Sequence, residues 1–127
     1  YNLFVLFGGF MEYALAKLEE IVFLEYEIGV LLASIEYAFK SGLIVQICNQ
    51  VVTTKESVRF QEKRIVQKEE RHEALIQDIL LENTLEELEM VHKVILQMPN
   101  GTVKNEKLFM ISYLIELKYR KMEEMIL

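Results

Sequence analysis

A single proline, Pro99, interrupts 127 residues. Proline lacks a backbone donor and its ring clashes with the preceding turn, so it ends helices. A chain with so few breakers folds into long helices joined by short turns. The other breaks are Ser41-Gly42, the joint at Asn83-Thr84, and the turn signal Pro99-Asn100-Gly101. Cutting the chain there predicts an all-α fold: a four- or five-helix antiparallel up-and-down bundle, one long helix around 54–81, and a single domain over 1–127. That length buries a modest core.

The first helix runs from residue 3 or 10 to residue 39 or 40, with the Gly8-Gly9 pair breaking its start. Leu18, Ile21, Glu25, Ile28, Leu32, Ile35 and Phe39 recur at spacings of three and four, which defines one helical face. Val22, Phe23, Leu24 and Leu31 widen that face. A helix apolar around so much of its circumference is central to a bundle or faces a partner chain. Phe4, Phe7, Phe10 and Tyr13 precede it as an aromatic strip at intervals of three. They are candidate core or interface residues, with an apolar ligand pocket as the second reading.

Residues 43–52 form a dense apolar run rich in β-branched side chains. A strand needs a partner, and no second strand candidate stands out, so the run is read as helix. At Thr53-Thr54-Lys55-Glu56 a hydroxyl and a glutamate have the spacing of a capping box. The helix either restarts there or runs on with a bend, and running on is the preferred form. In the long helix, Val58, Glu62, Ile65, Glu69, His72, Ile76 and Ile79 follow helical spacing. Ionisable residues thus occupy positions where apolar ones are expected. Thr84-Leu85-Glu86-Glu87 is another capping box. The helix after it reaches about Gln97, with Leu81, Leu85, Leu88, His92 and Ile95 on its face. The last helix takes Thr102 as its cap and carries Leu108, Ile111, Leu114 or Ile115, Met122 and Met125 inward. Glu116 and Arg120 are spaced to pair on its surface.

Both histidines follow a glutamate by three residues: Glu69 with His72, and Glu89 with His92. Residues three apart on a helix point the same way, so each pair offers a carboxylate and an imidazole to one point. Folding the two helices about residues 82–83 brings the pairs to similar heights, at about 1.5 Å rise per residue. Their convergence would suit iron, manganese or zinc. This resembles the di-metal carboxylate proteins of the ferritin-like class in one respect, two Glu-x-x-His motifs on bundle helices. In that class the motif helices are not sequence neighbours, and each of the other two helices adds a glutamate. Here Glu12, Glu19 or Glu25 would serve from the first helix and Glu106 or Glu116 from the last. The plainer reading places both histidines at the edge of the core, hydrogen-bonded to a neighbouring acid.

The formal net charge of −6 argues against nucleic acid or an anionic membrane as partner and suits a basic protein surface. The only cysteine, Cys48, sits in the apolar run, where it reads as a core residue. It rules out an intramolecular disulfide, which fits a reducing, cytoplasmic setting. The stretch 2–16 is too short to span a bilayer, and Glu36, Lys40 and Ser41-Gly42 interrupt the longer run 28–52. No phosphate loop or nucleophile motif is present. The sequence therefore points to a non-enzymatic helical bundle that acts through protein–protein contact and associates with itself. A carboxylate–histidine metal bundle and a detached effector domain for an apolar ligand are the alternatives.

Overall fold

The computed structural model describes residues 9–41, 45–47, 50–52 and 54–126. Its elements are α1 (Gly9–Ser41), β1 (Val45–Ile47), β2 (Gln50–Val52), α2 (Thr54–Glu82), α3 (Leu85–Leu96) and α4 (Thr102–Ile126). The all-α reading holds: helices carry the fold, and α2 is the long helix expected around 54–81. The expectations for Phe4, Phe7, Gly8 and Cys48 lie outside the described residues, as does the side chain of Phe10.

The apolar run 43–52 is a correction. Instead of a helix it holds β1 and β2, paired antiparallel with Val45 opposite Val52, Gln46 opposite Val51 and Ile47 opposite Gln50. The strand partner that the sequence reading lacked is the other half of the same run. Its β-branched residues suit extended backbone, because their χ1 freedom is restricted in a helix. β2 ends at Val52 and α2 begins at Thr54.

The chain forms two compact units, Tyr1–Val22 with Ala74–Leu127, and Phe23–Glu73. The first is a helical bundle. Met11, Ala14, Leu18 and Ile21 of α1 are buried in it at spacings of three and four. Leu75, Ile76, Ile79 and Leu80 of α2, Leu88, Val91 and Ile95 of α3, and Met110, Ile111 and Leu114 of α4 complete its core. Burying each large aliphatic side chain contributes roughly 1.5–3 kcal/mol. Leu81, Met122 and Met125, expected inside, are exposed. Leu81 lies off the row that α2 turns inward, whereas Met122 and Met125 fall in the last two turns of α4, C-terminal to its buried residues.

The joints of this unit are closed by side chains. The Asn83 amide donates from Nδ2 to the Ile79 carbonyl at 3.0 Å, and Lys118 donates from Nζ to the Leu80 carbonyl at 2.7 Å. The Leu80 carbonyl, left free at the end of α2, is thus satisfied, and the Ile79 carbonyl accepts from both the side-chain amide and the backbone N–H of Asn83. The expected capping box starts α3. Glu87 N–H donates to Thr84 Oγ1 at 3.1 Å, and Thr84 N–H donates to Glu87 Oε1 at 3.0 Å. The last helix starts one residue earlier than expected: Thr102, the expected cap, is already helical, and the Gly101 carbonyl accepts from Asn105 N–H at 3.1 Å.

The second unit is a helical hairpin closed by β1 and β2. Leu24 and Ala38 of α1 and Val58 and Ile65 of α2 are its buried apolar residues. Its inward row on α1 is Leu24, Ile28, Leu31, Ile35 and Ala38; on α2 it is Val58, Gln61, Ile65, Lys68 and His72. Both alternate spacings of three and four, the 3.5-residue repeat of helices that coil about each other. Glu62 and Glu69, expected on the inward stripe of α2, are exposed.

Candidate functional site

Three of the five inward positions on the hairpin's α2 are polar, and each has a specific partner. Lys68 donates from Nζ to Glu27 Oε2 at 2.9 Å. His72 Nε2 lies 3.1 Å from Glu25 Oε1. Gln61 donates from Nε2 to Ser57 Oγ at 3.1 Å, and Ser57 is fully buried. The Gln61 carbonyl oxygen is buried without a hydrogen-bond partner. Two of these contacts, Lys68 with Glu27 and His72 with Glu25, run between the helices and fix their pairing with polar groups, at some loss of apolar burial.

These contacts decide what becomes of the two Glu-x-x-His pairs. Glu69 is exposed, and the carboxylate beside His72 is Glu25 instead. Glu89 is exposed and His92 half-buried, in the other unit. Of the further acids considered as ligands, Glu12, Glu19 and Glu106 are exposed, and Glu116 pairs with Arg120 four residues on. Among the described residues no group of three or more His, Cys, Asp or Glu side chains gathers where one ion could be held. His72 beside Glu25 has the geometry of a core-edge histidine with a neighbouring acid. Tyr13, the described member of the N-terminal aromatic strip, is exposed, with the Lys17 ammonium 5.0 Å from its ring centroid.

The hairpin's second feature is on the other side of α1. Phe23, Tyr26, Val30 and Tyr37 are 58%, 67%, 48% and 63% exposed, and Ala33 between them is exposed too. Their spacings are three, four, three and four, the same repeat as the inward row. At 3.6 residues per turn the two rows are separated by roughly 140° around the helix. An open groove of about 490 Å³ runs beside the outer row, lined by Val30, Ala33, Ser34, Tyr37, Ala38 and Gln61. The sequence carried this signal in the apolar breadth of the first helix. A single-stripe reading merged the two rows into one wide face.

No described helix is long and apolar enough to cross a membrane. Comparison with protein-family profiles, curated proteins and solved structures returns no match for the chain.

Proposed function

We propose that this chain is a non-enzymatic helical-bundle protein that works through protein–protein contact and associates with itself. The observation that carries the proposal is the outward row Phe23, Tyr26, Val30, Ala33 and Tyr37. Single exposed apolar side chains are common on protein surfaces, whereas a contiguous exposed apolar patch marks an interaction site. Here the side chains are contiguous, three are aromatic, and they follow the period of a helix–helix seam. Aromatic residues are enriched at interfaces because they bury much area with few rotatable bonds. The net charge of −6 suits a basic surface on any further partner.

Thermal unfolding at several protein concentrations tests this reading. An associating chain gains stability by mass action, roughly 1.4 kcal/mol for each tenfold rise in concentration when a tight dimer unfolds to monomers. The expected result is a melting temperature that climbs with concentration. A melting temperature that stays fixed over a hundredfold range would sink the proposal.

A further inference from the structure

We infer that the occupant of the outer row is the α1 helix of a second copy, packed antiparallel, with Tyr26 of each copy facing Tyr37 of the other. This rests on the self-association proposed above and specifies its geometry. Three observations lead to it.

The first is period. The inner row Leu24, Ile28, Leu31, Ile35 and Ala38 already packs on a helix, and the outer row keeps the same alternation of three and four. A 3.5-residue repeat stays in register only with a partner that coils with it, which means another helix. A sheet edge or a small ligand would not require the repeat to persist over more than two turns.

The second is charge. Continuing the outer row by three residues from Tyr37 reaches Lys40, which is exposed and pairs with Glu36 on its own helix at 2.8 Å. In a parallel, in-register pair every row position meets its own copy, so Lys40 meets Lys40 at the seam and the like charges repel. In the antiparallel pair Val30 faces Ala33, Tyr26 faces Tyr37, and Lys40 lies over the Phe23 ring. A cation over an aromatic face is attracted to it. The antiparallel alignment thus removes the Lys40 like-charge clash and places that cation over an aromatic face.

The third is shape. Val30 facing Ala33 places a larger side chain against a smaller one on both sides of the two-fold axis, so the helices approach closely at the centre of the contact. The groove beside Ala33 and Tyr37 leaves room for an incoming tyrosine ring. The same patch serves both copies, as a closed two-fold contact requires.

Cysteine pairs on the flanks of the row test the geometry while leaving its apolar side chains in place. Antiparallel packing brings Gly29 of one copy beside Glu36 of the other; parallel packing instead brings Gly29 beside Ser34. A Cβ at Gly29 meets nothing within 4 Å, so Gly29→Cys is sterically free. In a Cys48→Ser background, Gly29→Cys is mixed with Glu36→Cys, and separately with Ser34→Cys, then oxidised with diamide. The expected result is a cross-linked dimer from the first mixture and at least tenfold less from the second. Cross-linking confined to the second mixture would overturn the antiparallel alignment. A dimer mass by light scattering with neither cross-link would overturn the α1–α1 contact and leave self-association standing. A single-chain mass at every concentration would overturn both.

Discussion

Lys68 and Glu27 meet at 2.9 Å across the hairpin, with their side chains only 19% and 29% exposed. A charge partly withdrawn from water is less well solvated once its partner is removed. Lys68→Met is therefore expected to lower stability by about 1–2 kcal/mol, because it strands the Glu27 carboxylate. Combining it with Glu27→Leu should recover most of that loss, since an apolar pair of similar volume fits the same seam. Urea unfolding of the two single variants and the double measures the coupling. Additive losses would show that the pair does not act as a unit.

Gln61 lies between Val58 and Ile65 on the inward row, with its carbonyl oxygen unpartnered and its amide on Ser57. Removing both polar groups with Ser57→Ala and Gln61→Leu is expected to raise stability by about 1–2 kcal/mol. Ser57→Ala alone should lower it, because Gln61 then loses its remaining partner. Chemical denaturation of the two variants checks the opposite signs.

The start of α3 was legible because its signal is local. Thr84 and Glu87 lie three residues apart, and both halves of the capping box form. Thr84→Ala is expected to cost about 1 kcal/mol and Thr84→Ser little, measured by the same unfolding method. The inward row of α2 was not legible in the same way. The expected stripe and the observed row share Val58, Ile65 and His72, and differ in choosing Glu62 over Gln61 and Glu69 over Lys68. All four of those residues are polar, so periodicity cannot choose among them. The choice is made by what lies opposite, and Glu27 selects Lys68. The β1–β2 hairpin was hidden for a related reason. Composition marks a run as strand-forming, but it does not show that the run pairs with itself.

Lys118 closes the α2 carbonyl end from a helix 38 residues further along the chain. Lys118→Met keeps the apolar stem and removes the ammonium, so the expected loss is about 1 kcal/mol, the net worth of one hydrogen bond to a backbone carbonyl. Amide hydrogen exchange should show the loss as faster opening of the last turn of α2 relative to its middle. Uniform acceleration across α2 would argue that Lys118 acts on the whole bundle instead.

His72 has Glu25 as its neighbour, and Glu69 points to solvent. His72→Gln, which retains a donor toward Glu25, is expected to keep most of the native stability. Addition of zinc or manganese, and their removal by a chelator, should leave the melting temperature of both forms unchanged. A metal-dependent rise of several degrees in the native protein that His72→Gln abolishes would favour the carboxylate–histidine metal reading.

Self-association through the outer row of α1 is tested most directly by light scattering on the full chain and on its Tyr26→Ser, Tyr37→Ser double variant. Both positions are exposed, so the substitutions leave the hairpin's inward row untouched. The expected result is twice the single-chain mass for the native protein and the single-chain mass for the variant, with equal helix content by circular dichroism. A native protein of single-chain mass at its highest soluble concentration, or a variant that stays dimeric, would contradict it.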